Sequence, residues 1–367
     1  MTKKNLTVLV TGTDSPGFSS IIRSLKLSKK YNFRIIGTDW NRNLKSLYFA
    51  DTSYILPDNK TPEFIHELLK VCEKEKVDFV IPIRTDDQLP ICNHLKEFDS
   101  IGTIPLIITS NPELMSIALN KYKMLEYIKH VASLKTMNYR LVNTKNQLEL
   151  ALKELNYPKN PVTIKPTHTT GSRGFRILDQ TINRKKIFFD EKPSSTYITK
   201  EELFTILGDD FQDMLVMEYL QEPEFTLDVL CYKGKTFTII PRKRLKMTSG
   251  ITVKGIIEKL PKETEQYIKK VIESFGFTYS VGLQIRKSSF DDKTYHLIEI
   301  NPRLQGTTVF SVVAGINLPE QMISMGLKEF DFTFEPKIKY GLEMERIYLE
   351  LFYYNNAIIK LEDEVKK

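Results

Sequence analysis

The stretch Leu297-Ile298-Glu299-Ile300-Asn301-Pro302-Arg303 sets a carboxylate, an amide and a guanidinium on alternate residues. In an extended strand alternate side chains share a face, so Glu299, Asn301 and Arg303 would line one side while Ile298 and Ile300 pack beneath. Carboxylate and amide oxygens suit a hard divalent ion such as Mg2+, which fills its remaining positions with phosphate and water. A neighbouring arginine can fork onto a phosphate or carboxylate. These residues suit ATP chemistry, although the same alternation also describes a half-buried strand with a polar outer face. A second group lies upstream. Lys165 closes the apolar run Val162-Thr163-Ile164 and precedes Thr167-His168-Thr169-Thr170-Gly171-Ser172-Arg173-Gly174, a polar loop whose backbone N–H groups could gather around phosphates. The loop lacks the Gly-Lys-Ser/Thr ending of a P-loop, and a strand-end lysine is ordinarily at the surface. Pro241-Arg242-Lys243-Arg244 follows a predicted strand and reads either as an anion holder or as a solvated edge that deters sheet pairing.

Positioning these groups requires two kinds of scaffold. Residues 6–12 read as a buried parallel strand ending at Gly12, followed by a helix with Ile21, Ile22 and Leu25 on one face and a second strand, 33–39, ending at Asp39. This βαβ unit imitates a dinucleotide fingerprint, but Gly12-Thr-Asp-Ser-Pro-Gly17 lacks the middle glycine that lets a pyrophosphate approach, which disfavours NAD. A helix near 61–76 and strands at 79–83 and 105–108 continue the alternation, giving a small open α/β sheet. Its ligand crevice would lie at 13–17, 39–42 and 84–88, with Arg84-Thr85-Asp86-Asp87 reading first as a helix cap. From 113 a helix runs to 129, and strands then cluster at 162–165, 215–219, 225–230, 236–240, 282–285 and 296–300, the pattern of an α+β body. Residues 180–200 read as a surface excursion, and the aromatic segment 347–354 as a terminal helix.

The 367 residues, 41% hydrophobic and 27% charged, suffice for two or three globular domains. The net charge of +7 favours anionic ligands, yet no basic block with interleaved aromatics marks a nucleic-acid groove. Cys72, Cys92 and Cys231 are far apart and odd in number, arguing against a disulfide framework or zinc site. The first apolar run is too short for a leader or a membrane span, so a cytoplasmic location is expected. No Ser-His-Asp or Cys-His arrangement stands out, and His168 is the one histidine placed near the other polar groups.

Taken in order, Lys121, Lys165, the loop with Thr170, Gly171, Ser172 and Gly174, the Met217-Glu218-Tyr219-Leu220 segment, Glu224, Asp228, Gln284, Glu299 and Asn301 resemble the ATP-grasp family over roughly residues 6–330. The likeness is in particular to one synthetase half of carbamoyl phosphate synthase and to free-standing amino-acid ligases. It implies a mixed α/β and α+β chain: a Rossmann-like pre-ATP-grasp domain at 1–110, a two-lobed ATP-grasp fold at 111–333 with a central lid lobe at about 130–217, and a tail at 334–367 packing on the core. It further implies ATP with Mg2+ or Mn2+. Lys121 and Lys165 would meet phosphates under the loop, Glu218, Tyr219 and Leu220 the adenine, and Glu224 the ribose. Gln284, Glu299 and Asn301 would hold the metal, and Arg303, Arg286 and Arg242 would steady the transferred phosphoryl group or a substrate carboxylate. Asp228 would orient one of these cations. The activity implied is carboxylate–amine ligation through an acyl phosphate, on small-molecule substrates and without nucleic acid or membrane. A non-catalytic ATP-binding sensor is the alternative, and an apolar tail surface would permit a homodimer.

Overall fold

The computed structural model describes residues 3–169, 171, 173–190, 196–248, 250–287, 295–355 and 357–359. Thr170 and Ser172 lie outside them. The chain divides into two compact units: one of Met1–Ser116, Thr226–Leu283 and Ile300–Lys367, the other of Ile117–Phe225 and Gln284–Glu299.

The first unit begins with the predicted open sheet. Strands β1 (Lys4–Thr11), β2 (Tyr31–Asp39), β3 (Thr52–Ile55), β4 (Phe79–Pro82) and β5 (Ile104–Pro105) are parallel in the order β3-β2-β1-β4-β5. Val8, Leu9 and Val10 are all fully buried, as expected of a parallel strand covered on both faces. The helix Phe18–Lys26 buries Phe18, Ile21, Ile22 and Leu25, an i, i+3, i+4, i+7 stripe. Each such side chain contributes about 1.5 to 3 kcal/mol against the opposing chain entropy. The helix Glu63–Glu75 sits where periodicity placed it. The last expected strand is short: Ile104 N and Leu106 N donate to Asp78 O and Val80 O at 2.9 and 2.8 Å, after which the Ile108 carbonyl accepts from Thr278 N at 2.8 Å.

The second unit carries β6 (Tyr139–Thr144), β7 (Val162–Pro166), β8 (Arg176–Leu178) and β9 (Asp210–Glu218), an antiparallel sheet ordered β6-β9-β7-β8. Its core gathers Val142, Leu148, Leu152, Val162, Ile164, Met214 and Val216. The expected helix over 113–129 is broken. Asn120 leaves helical geometry at φ −107° and ψ 116° and accepts from Lys123 N, separating Pro112–Leu119 from Lys121–Glu126. The excursion at 180–200 contains the helix Arg184–Asp190, which buries none of its residues.

A six-stranded sheet comprises β10 (Gln221–Tyr232), β11 (Lys235–Thr248), β12 (Ile251–Ile257), β13 (Tyr279–Lys287), β14 (Tyr295–Asn301) and β15 (Glu343–Glu345) in the order β14-β13-β10-β11-β12-β15. Along the chain β10, β13 and β14 run from one unit into the other. The expected terminal helix does not form among the described residues. The tail instead adds β15 to β12, then folds a hairpin of β16 (Phe352–Tyr354) and β17 (Ala357–Ile359). Aromatic and aliphatic residues favour strands, and Asn355 takes the left-handed φ of +47° that a tight hairpin turn needs.

Candidate active site

The second unit gathers a cationic cradle from its own elements. Lys165, next to last in β7 and 8% exposed, donates to the Ile298 carbonyl of β14 at 3.2 Å, which fixes its ammonium beside Glu299. Lys121, at the start of the Lys121–Glu126 helix, is equally buried. Its backbone N–H bonds Thr167 O at 2.8 Å and its ammonium donates to Thr169 O at 2.9 Å. The Lys121 ammonium lies 3.7 Å from a Glu299 oxygen, an ion pair looser than a hydrogen bond. Burial, reinforced by the Lys121 charge, pushes the Lys165 ammonium down to about 8, despite opposing pull from Glu299 and Glu224. Two buried ammonium groups therefore share a part-exposed carboxylate, an imbalance that phosphate oxygens would correct.

Around this pair stand the other expected nucleotide contacts. Gly171 and Gly174 in the loop both take left-handed φ, and a Cβ on Gly174 would strike the Pro166 ring at 2.7 Å, so this turn requires glycine. His168 sets its Nδ1 3.2 Å from Leu119 O. At the end of β9, Glu218 is buried and accepts from Asn138 Nδ2 at 3.0 Å, while Tyr219 N donates to Pro161 O at 3.2 Å. Leu220 is buried and its carbonyl accepts from Arg286. Glu224 is buried too, and Arg286 donates to it at 2.9 Å and to Glu222 at 2.6 Å. These carboxylates hold Arg286 in its charged form against burial. The guanidinium is thus held by Glu224, Glu222 and the Leu220 carbonyl. Glu222 was the missed partner; its i, i+2 spacing from Glu224 was the available signal. Gln284 lies on β13, the neighbour of β14.

In the first unit Arg242 is buried on β11 with its Nη2 2.6 Å from Asp228 Oδ1; its Nη1 donates to Thr307 Oγ1, and Asp228 Oδ2 accepts from Ser311 Oγ at 2.6 Å. Asp228 therefore orients this cation. β11 lies between β10 and β12, which removes the solvated-edge reading. Burial lifts the Asp228 carboxyl, opposed by Arg242 and Ser311. The Arg242 Nε–H is buried without an acceptor. Arg303 falls beyond the end of β14, so strand alternation does not place it. It still meets the same amide: its Nη2 donates to Asn301 Oδ1 at 3.2 Å and its Nε to Thr85 Oγ1 at 3.1 Å. Arg303 thereby fixes which end of the Asn301 amide is oxygen, and that oxygen keeps a second lone pair for a hard ion. Glu299, with 27% of its side chain exposed, offers carboxylate oxygens. Gln284 and Glu299 of the second unit and Asn301 of the first each offer an oxygen of the type Mg2+ takes.

At the carboxyl ends of β1, β2 and β4 the expected crevice exists, but its contacts differ from a helix cap. Asp87 already has helical φ and ψ and makes no side-chain cap; its carboxylate accepts from Thr11 Oγ1 and from Asn59 Nδ2 at 2.6 Å. Arg84 pairs with Asp39 at 2.6 Å and stacks 4.3 Å over the Trp40 ring. A Cβ on Gly12 would meet Arg84 Cγ at 2.5 Å, so glycine is required for this arginine to cross. Asp39 also accepts from Asp14 N at 2.6 Å and Trp40 N at 2.8 Å. The cysteine thiols are free and buried, and burial pushes each upward. Among the described residues no helix is long and apolar enough to cross a membrane.

Residues 210–348 match the family model described as ATP-grasp in the biosynthetic pathway with Ter operon, and residues 17–107 match a PylC-like N-terminal domain. A curated relative, formate-dependent phosphoribosylglycinamide formyltransferase of Prochlorococcus marinus, is 22% identical over 171 residues; that match takes in 47% of this chain and only 40% of the relative's length. N5-carboxyaminoimidazole synthetase from Staphylococcus aureus, complexed with ADP, superposes with a TM-score of 0.65 at 15% identity, covering 92% of this chain and 81% of that one. The biotin carboxylase domain of Hydrogenobacter thermophilus 2-oxoglutarate carboxylase, in complex with ADP, its magnesium salt and bicarbonate, gives a TM-score of 0.65 at 16% identity, over 92% of this chain and 73% of that one. Residues 210–348, which include Arg242, Glu299 and Asn301, thus match an ATP-grasp family model, and the chain as a whole carries the ATP-grasp fold of these structures.

Proposed function

We propose that the protein is an ATP-dependent ligase that joins a carboxylate to an amine through an acyl phosphate, releasing ADP and phosphate. The observation carrying this reading is the pair of buried lysines, Lys121 and Lys165, with Glu299 as their shared carboxylate. Their excess positive charge suits a triphosphate, and their burial keeps water from screening it. Glu218, Tyr219 and Leu220 would take the adenine, and Glu224, steadied by Arg286, the ribose hydroxyls. Gln284, Glu299 and Asn301 would hold Mg2+, or Mn2+ in the same oxygen set, which neutralises phosphate oxygens when bound.

In the first half-reaction the acid's oxygen attacks the γ-phosphorus and the bond to the β-phosphate oxygen breaks, leaving ADP and an acyl phosphate. In the second the amine adds to the acyl carbon, phosphate departs and the nitrogen loses a proton. No covalent protein nucleophile is needed. The chain's contribution is positioning and charge stabilisation. Lys165 holds a phosphate oxygen, Arg303 keeps Asn301 oriented, and Arg242 Nε–H offers a buried donor to the acyl-phosphate oxygens. The relative's dependence on formate and the synthetase's complex with ADP support the same reaction class. The test is a phosphate-release screen with pooled carboxylates and amines, followed by mass spectrometry. ADP and phosphate should appear only when both partners are present. AMP and pyrophosphate, or ATP binding with no turnover across the panel, would refute ligation through an acyl phosphate.

A further inference from the structure

The crevice of the first unit carries a charge balance the ligase reading does not use. Its wall includes Thr38, Asp39, Trp40, Asn59, Arg84 and Asp87, and the enclosed room is about 10 Å3, a single water-sized site beneath a mouth open to solvent. A dinucleotide cannot enter it, whereas a group the size of a water, such as an ammonium head, fits. Asp39 is consumed by Arg84 and by three neighbouring donors. Asp87 is different. It is 2% exposed, and its hydrogen bonds come from neutral groups, Thr11 and Asn59, so its charge has no directly bonded counterion among them. A buried carboxylate in that position costs several kcal/mol unless a cation arrives or a proton is taken up.

A second, independent observation points to a guest. Thr38 lines the same crevice, is fully buried, and its Oγ1 has no hydrogen-bond partner. A buried hydroxyl without a protein partner is uncommon and marks a place for a donor from outside the protein. Asp87 offers carboxylate lone pairs and Thr38 a hydroxyl lone pair, so the guest must donate. With Asp39 and Asp87 against Arg84, the crevice's balance is one negative charge, so the guest should be cationic. Burial lifts the Asp87 carboxyl and outweighs the opposing pull of Asn59, Thr11 and Arg84, with Asp39 adding a small further rise.

We propose that this crevice receives a primary ammonium group, seated on the Asp87 carboxylate and the Thr38 hydroxyl, with the guest's carbon chain against the Trp40 side chain. Its identification as the amine substrate rests on the ligase reading; the binding itself does not. Trp40 is 43% exposed, and its ring already accepts the Arg84 cation.

The test is calorimetry on the full chain without nucleotide, using n-butylamine and L-lysine against n-butanol, hexanoate and D-ribose, with ATP binding measured on the same samples. The amines should bind at least tenfold more tightly than butanol, hexanoate or ribose. Thr38→Val should weaken them severalfold while leaving the melting temperature unchanged or higher, because it removes a buried hydroxyl that makes no bond. Asp87→Asn should weaken them tenfold or more. If that variant does not fold, Thr38→Val and Trp40→Ala carry the test. A purely structural role for these groups predicts unchanged amine affinity in every folded variant, and that result would overturn the proposal. So would equal binding of alcohol and amine, or preference for ribose. Amine binding lost with ATP binding intact sinks only the crevice; ATP binding lost with amine binding intact sinks only the ligase reading.

Discussion

The cradle of the second unit and the crevice of the first are opposites in charge. Lys121 and Lys165 share Glu299, so cations are in excess; in the crevice Asp39 and Asp87 surround Arg84, so carboxylates are. Each place buries a charge that its protein neighbours do not fully compensate, an ammonium in one and a carboxylate in the other. An isolated fold gains nothing from either, because desolvation of an unbalanced charge opposes folding. The contrast teaches that opposite imbalances would suit opposite guests, and on the reading proposed above these are a polyphosphate and an amine.

The comparison is broken most decisively at Lys165. Replacing it as Lys165→Met should cut ATP affinity at least a hundredfold while leaving the melting temperature unchanged or higher, since a desolvated charge is removed. Fluorescent-nucleotide titration with a thermal melt reads both, and undiminished ATP binding would remove the cradle from the comparison. Next in size, Glu299→Ala should abolish Mg2+-dependent turnover by a hundredfold or more with the fold intact, because a part-exposed acid contributes little packing. Full activity in that variant would end the metal assignment.

A pH series sharpens the contrast with a smaller effect. Lys165 titrates at about 8 in the folded chain and at its ordinary 10.5 when unfolded. Between those values the unfolded chain binds the extra proton, so this group makes stability rise as pH climbs from about 8 to about 10.5. ATP favours the charged ammonium, so its affinity should be level below about 8 and fall above it, by at most about tenfold per pH unit. At pH near 8.5 binding should take up a fraction of a proton, visible as a buffer-dependent heat in calorimetry; no such dependence would mean Lys165 does not meet phosphate. The smallest effect is expected at Arg286→Lys, which keeps charge but loses the fork across Glu222 and Glu224. ATP affinity should drop about threefold to tenfold with catalysis per bound nucleotide unchanged, measurable as a shift in KM against kcat.

Some of this was legible in the chain as written. Local periodicity and alternation located the helices Phe18–Lys26 and Glu63–Glu75 and the strands β1, β2 and β4, because those patterns depend on neighbours a few residues away. Break points followed side-chain chemistry less visibly. Asn120 splits a helix by capping the next, and the aromatic tail becomes a hairpin at Asn355. Strand alternation foresaw Glu299 beside Asn301 along β14 but not Arg303, which joins Asn301 across a turn.

By itself the sequence determined which groups were present and in what order: the parallel sheet, the two lysines, the glycine loop and the acid-amide pair on one strand. Only the tertiary structure decided their electrical state. Lys165 reaches the Ile298 carbonyl 133 residues away, Asp228 takes up Arg242, Glu222 and Glu224 hold Arg286, and Asp87 turns from helix cap to buried carboxylate. Burial and counterions arise from long-range packing, and a pattern of residue types carries no record of which distant charge will end within 3 Å of another.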